Sequence, residues 1–178
     1  MRFSFGNDNS IEKALKQAEK YAQQGKYSAA VDEYHKVLEG NPNDVTLLNT
    51  IGDLCVRANR NDEAIRHFLK VAERYESDKA IASAIAVYKK VLKLDAANVD
   101  RMVRVADLMC KQGLIPDARR QYQTAVESYK QNGEKQKAFR TMQKIADLDP
   151  ENFGLRLELG EEYRQAGFTK EAYQAFIQ

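Results

Sequence analysis

The stretch "VAERYESDKAIASAIAVYKKVLKLD", residues 71–95, decides the fold. Apolar and small residues recur three and four apart through it, the mark of amphipathic helices, and "ESDK" breaks it into two. Around it an alanine spacing alternates. Ala30 to Ala64 is 34 residues, Ala64 to Ala84 is 20, and the pattern continues as 34 to Ala118, 20 to Ala138 and 34 to Ala172. The true period is therefore 54. It is kept by Tyr34, Tyr88 and Met142, by Val37, Val91 and Ile145, by Ile51, Val105 and Leu159, by Gly52, Ala106 and Gly160, and by Phe68, Tyr122 and Phe176. A self-similarity of this length predicts a repeat architecture.

Breaks rich in Gly, Asn, Asp and Pro fall at "EGNPND", "ANRND", "ESDK", "LDAAN", "KQGLIPD", "QNGE", "LDPEN" and "QAGFT". These residues cap and stop helices. They divide the chain into ten predicted helices, near 10–24, 27–40, 44–58, 62–77, 80–94, 98–112, 116–131, 134–147, 151–166 and 169–178. The short 20-residue step has a physical reading. The helix over 62–77 carries Phe68, Val71, Ala72 and Tyr75, which suit both the second helix of one hairpin and the first helix of the next. Tyr122, Ala125, Val126 and Tyr129 do the same over 116–131. Each of these helices is expected to be shared by its two neighbours, and the building unit to be three helices.

Several segments resemble the tetratricopeptide repeat: "LLNTIGDLCVRANRNDEAIRHFLKVA", "MVRVADLMCKQGLIPDARRQYQTAV" and "LRLELGEEYRQAGFTKEAYQAF". Leu159-Gly160, Tyr163, Gly167, Ala172 and Phe176 fall in the order of that family's 34-residue pattern, as do Tyr21, Gly25, Ala30, Tyr34 and Pro42. The resemblance implies an all-α fold, a right-handed α-solenoid of antiparallel helix hairpins. The expected division is an arm over 1–10, a repeat over 11–44, three-helix units over 45–98 and 99–152, and a truncated repeat over 153–178. Sharing of helices is expected to give the superhelix a curvature unlike that of a plain array.

Composition narrows the function. The 178 residues carry a net charge of +2, with 43% hydrophobic and 30% charged residues. No basic stripe of the kind that nucleic acid needs is evident. No apolar run is long enough for a membrane span or a signal peptide. Cys55 and Cys110 sit in helical stretches without metal-ligand spacing, and read as buried thiols in a reducing, cytoplasmic setting. His35 and His67 read as ordinary surface or boundary residues, with no metal or other cofactor expected. No phosphate loop, HExxH or GxSxG pattern occurs, so an enzyme is not expected.

The family resemblance implies binding of a protein or peptide segment in a groove lined by the first helix of each hairpin. Matching slots there hold Asn49, Val103 and Leu157, then Asp53, Asp107 and Glu161, with Arg57 and Lys111 four residues beyond the two aspartates. The acidic slot also holds Glu19, Glu73 and Glu127. One reading is an acidic column that selects basic segments, with Val103 and Leu157 as apolar contacts. The other is a solvated face on which Asp53 and Arg57, and Asp107 and Lys111, neutralise each other for a few tenths of a kcal/mol. Some members of the family grip a C-terminal carboxylate through amide side chains; here Thr50 and Asp53 hold those positions, which disfavours that activity. The expected function is an interaction scaffold, and the rival is a spacer or self-assembly module. Phe176 and Ile177 near the end would need cover from a further helix or from another copy, and so point to a longer protein or to association through the last helix. Phe3 and Phe5 sit in the Gly-, Asn- and Ser-rich arm.

Overall fold

A computed structural model describes the backbone of residues 5–177 and side chains from residue 10 onward. Among the described residues there are ten helices and no strand: α1 (Phe5–Gln23), α2 (Tyr27–Gly40), α3 (Val45–Arg57), α4 (Asn61–Ser77), α5 (Ile81–Leu94), α6 (Val99–Lys111), α7 (Ile115–Gln131), α8 (Lys135–Asp147), α9 (Phe153–Gln165) and α10 (Thr169–Ile177). Nine of the ten begin within about three residues of their predicted starts. The exception is α1, which begins at Phe5, inside the stretch expected as an arm. Phe3 lies outside the described residues. The chain divides into two compact units, residues 1–95 and 96–178.

Two kinds of connection recur in a fixed order, one capped link to every two tight turns, and they explain the 54-residue period. Tight turns pass through a left-handed residue at Gly25, Asn59, Lys79, Gly113, Gly133 and Gly167. Longer links end on a side-chain cap: Asp44 accepts from the Leu47 amide at 2.9 Å, Asn98 from Arg101 at 3.1 Å and Asn152 from Leu155 at 3.3 Å. The caps stand 54 residues apart, and each satisfies one of the amides left open at a helix start. Helices α3, α4 and α5 are thus joined by two tight turns, as are α6, α7 and α8.

One of those turns is imperfect. Lys79 holds φ 59° where the equivalent positions carry Gly25 and Gly133. A left-handed L-residue with a Cβ costs roughly 1–2 kcal/mol, part of which glycine returns as unfolded-state entropy. Lys79→Gly is therefore expected to stabilise the protein by about 0.5–1 kcal/mol, seen as a higher urea midpoint.

Within the first unit α4 packs on α3 before it and on α5 after it; within the second, α7 packs on α6 and on α8. Both shared helices bury a wide face. In α4 the buried residues are Ala64, His67, Phe68, Val71 and Ala72; in α7 they are Ala118, Tyr122, Ala125, Val126 and Tyr129. One cluster shows the sandwich directly: Val99 of α6, Ala125 and Tyr129 of α7, and Ala138 of α8 pack together. A second joins Ala146 of α8, Leu159 of α9 and Ala175 of α10.

Close approach sets residue size at the α3–α4 and α9–α10 contacts. A Cβ on Gly52 would lie 2.6 Å from the Phe68 ring, and one on Gly160 would lie 2.2 Å from the Phe176 ring. Phe68 is 1% exposed and is the bulkiest fully buried side chain among the described residues. The ring fills the space that glycine leaves, so the two positions form one packing unit.

Candidate interaction surface

The acidic slots do not form a uniform open column. On α3, Asp53 receives Lys90 of α5, whose Nζ lies 2.8 and 3.0 Å from the two carboxylate oxygens and 3.2 Å from Asn49 Oδ1. Asn49 Nδ2 donates to Asp53 at 3.4 Å. The same ammonium sits 4.8 Å from the centre of the Phe68 ring on α4. One lysine thus ties the outer helices of the triplet across the shared helix.

The second unit repeats the tie with an added hydroxyl. Asp107 of α6 accepts from Tyr122 of α7 at 2.5 Å and also from Lys144 of α8. The Lys144 ammonium lies 5.7 Å from the Tyr122 ring. Burial, and then the hydrogen bond to Asp107, push the Tyr122 hydroxyl well above its ordinary pKa, so it remains a donor. A parallel tie runs from Asp100 of α6, which accepts from Tyr129 of α7 at 2.5 Å and Lys137 of α8 at 2.9 Å. Those two bonds, Tyr129 first, hold the Asp100 carboxyl below its usual range.

The cations that neutralise Asp53 and Asp107 therefore come from the helix after next, not from four residues along. Arg57 lies 5.6 Å from the Tyr27 ring, and Lys111 is exposed. Val103 is half-buried against the Val99, Ala125, Tyr129 and Ala138 cluster, so it belongs to the edge of the core. Only the third slot pair is open: Leu157 is 58% exposed, and Glu161 pairs with Arg164 of its own helix at 2.7 Å. A sequence signal for the ties existed. Lys36, Lys90 and Lys144 keep the 54-residue step, although Lys36 pairs with Glu33 of its own helix at 2.7 Å.

Concave surface is found in each unit. In the first, a groove of about 460 Å³ is lined by Asp53, Val56, Phe68, Lys90 and Leu94, with Arg57 and Lys93 at its rim. In the second, a groove of about 420 Å³ lies between α7, α8 and α9. Its apolar lining is Val126, Met142, Ile145 and Leu155; its polar lining is Gln123, Glu127, Lys130 and Glu158. Lys130 is itself held by Glu162 at 2.7 Å. Sequence reasoning placed Glu127 in an acidic slot and missed Glu158.

The thiols are unpaired, with Cys55 buried and Cys110 half-buried. Burial pushes the Cys55 thiol up to about 11, which keeps it protonated and unreactive near neutral pH. His35 is half-buried, as a boundary residue is, whereas His67, expected at the surface or boundary, is buried. They meet across α2 and α4, with Glu63 beside them. No described helix is long and apolar enough to cross a membrane.

No curated protein matches the chain. Among solved structures, MamA from residue 41 to its end, of Desulfovibrio magneticus RS-1, is 18% identical over 94% of this chain and 92% of its own, with a TM-score of 0.29. A tetratricopeptide repeat protein of Parabacteroides merdae is 14% identical over 94% of this chain and 77% of its own, with a TM-score of 0.34. A thermophilic repeat protein of Thermus thermophilus is 15% identical over 85% of this chain and 98% of its own, with a TM-score of 0.31. The assignment itself rests on two tetratricopeptide repeat family models, which match residues 15–79 and 76–141 and together cover more than half of the sequence. The chain belongs to the tetratricopeptide repeat family.

Proposed function

We propose that this chain is a cytoplasmic interaction scaffold, without enzymatic activity of its own, that binds a segment of a partner protein carrying apolar and basic side chains. Membership of a family whose repeats typically serve protein binding supports the general statement. The observation that carries the finer one is the groove between α7, α8 and α9, where an apolar lining of Val126, Met142, Ile145 and Leu155 is bordered by Glu127 and Glu158. Aliphatic side chains of the partner would lie on that lining, and a lysine or arginine would meet the two carboxylates. Leu157 and Glu161 extend the contact along α9.

Asp53, Asn49 and Asp107 take part in a different way. They are committed to Lys90, Tyr122 and Lys144 and hold the triplets together. Reversing the charge of Asp53 and Asp107 would test stability more than binding. The clean test is Glu127→Lys with Glu158→Lys, on exposed side chains, against peptides selected from a random library on the unmodified protein. Selected peptides are expected to combine aliphatic and basic residues, and the double reversal to weaken them at least about tenfold, since each close like-charge pairing costs up to several kcal/mol. Equal affinity, with unchanged thermal stability, would remove this groove as the site.

A second reading has its own observation. Phe153, Leu157, Tyr173 and Ile177 are large apolar side chains exposed on α9 and α10. Such a surface suits self-association through the last hairpin. Sedimentation at several concentrations separates the two: a concentration-dependent dimer lost in Leu157→Glu supports self-assembly, and a monomer throughout supports the scaffold.

A further inference from the structure

The three groups that meet between α2 and α4 carry more than packing. His35 Nε2 lies 3.3 Å from His67 Nε2 and 3.2 Å from Glu63 Oε1, and His67 Nε2 lies 3.8 Å from the same oxygen. All three atoms can donate an electron pair. The nearest equidistant point lies in their plane about 2.0 Å from each, and an ion raised about 0.6 Å out of it has bonds of about 2.1 Å, the length of a zinc bond to imidazole nitrogen or carboxylate oxygen. Tetrahedral bonds of that length give ligand–ligand edges of about 3.3–3.4 Å, close to two of the three found. We propose that His35, Glu63 and His67 bind one divalent transition-metal ion, zinc by preference, with a fourth position open to water or to a partner's side chain.

The surroundings support a ligand set and not a chance meeting. Glu63 turns one oxygen to the imidazoles while Arg60 Nε holds the other at 2.6 Å, and Arg60 in turn donates to Asp32 at 2.9 Å. Fixing a ligating carboxylate from behind is the usual work of an outer shell. Arg60 and Lys70 oppose a cation, and Asp32 offsets Arg60. The Nδ1 of His67, which would carry the N–H of an Nε2-bound imidazole, has no acceptor among the described residues, so the outer shell is built at Glu63 and not at His67. Side-chain exposures of 35% at His35, 13% at Glu63 and 11% at His67 give solvent access mainly at His35.

The internal repeat supplies a control. Fifty-four residues on from His35, Glu63 and His67 stand Lys89, Asp117 and Gln121, and the next copies are Gln143, Glu171 and Ala175. Packing in these slots does not require imidazole, so the set of two histidines and a glutamate is peculiar to the first copy. Imidazole and carboxylate together favour zinc, copper or nickel over magnesium or calcium.

The test titrates the full chain, stripped with chelator, with zinc chloride alone. These are the protein's only two histidines, so their imidazole nitrogen resonances report the site without overlap. Expected are one ion per chain, a shift of both Nε2 signals, a rise in melting temperature reversed by chelator, and loss of binding below pH 6 as protons compete. Glu63→Gln and His35→Gln should each weaken binding by more than the roughly 10–100-fold that loss of an outer-shell partner costs, with helicity unchanged. Non-saturating uptake, or uptake that leaves both imidazole signals in place, would overturn the proposal, and so would wild-type affinity in both variants. If a variant fails to fold, the imidazole shifts of the unaltered chain decide alone.

Discussion

Phe68→Ala is expected to lower the unfolding free energy by about 3–5 kcal/mol, a large share of what a domain of this kind has. The ring is fully buried, lies against Gly52 on α3 and carries the Lys90 ammonium of α5 over its face. Gly52 has no side chain to move into the void, so collapse is restricted and the cost falls toward the upper end of the range. Urea unfolding followed by helical circular dichroism measures it. A loss below about 1 kcal/mol would mean that α4 is not gripped from both sides. The reverse substitution at the same contact, Gly52→Ala, would push against the same ring, which places the packing constraint in the pair and not in either residue.

Asp107→Ala is expected to cost about 2–3 kcal/mol, and the equivalent Asp53→Ala only about 0–1 kcal/mol. The two aspartates occupy the same slot and each holds a lysine of the helix after next. They differ in what else depends on them. Asp107 is the acceptor for the Tyr122 hydroxyl, and Tyr122 is 3% exposed. Removing the carboxylate leaves this buried donor only the weak sulfur acceptor of Cys110, 3.7 Å away. Phe68 replaces Tyr122 in the first unit and has no hydroxyl to strand, so Asp53 loses only a half-exposed ion pair. The check is a double-mutant cycle: in a Tyr122→Phe background, the cost of Asp107→Ala should fall toward that of Asp53→Ala. Equal costs at both aspartates in the unmodified background would contradict the assigned role of the hydroxyl.

Much of the fold was legible because it is written in spacings that local physics controls. Alanines 34 and 20 apart, with Phe68, Val71 and Ala72 repeated as Tyr122, Ala125 and Val126, give the helices, their order and the sharing of α4 and α7. The caps at Asp44, Asn98 and Asn152 were present in the same breaks. The start of α1 was not legible, because Gly6, Asn7 and Ser10 suggest a turn and tertiary context overrides so weak a preference. The site was read less well, for one reason. Sequence reasoning pairs a charge with its helical neighbour four residues on, as it paired Asp53 with Arg57. A shared helix instead brings the helices on either side of it within reach of one long lysine, 37 residues away. His35 and His67 are 32 residues apart and follow no ligand motif, so only the meeting of α2 and α4 could bring them together.

The central claim is that α4 is a common element of two hairpins, so that α3, α4 and α5 open as one. Amide hydrogen exchange in the unmodified protein and in Phe68→Ala tests it most directly. The account predicts that protection falls together, and by a similar free energy, in residues 45–57, 61–77 and 81–94. Loss confined to 45–57 and 61–77, with 81–94 as protected as before, would contradict it.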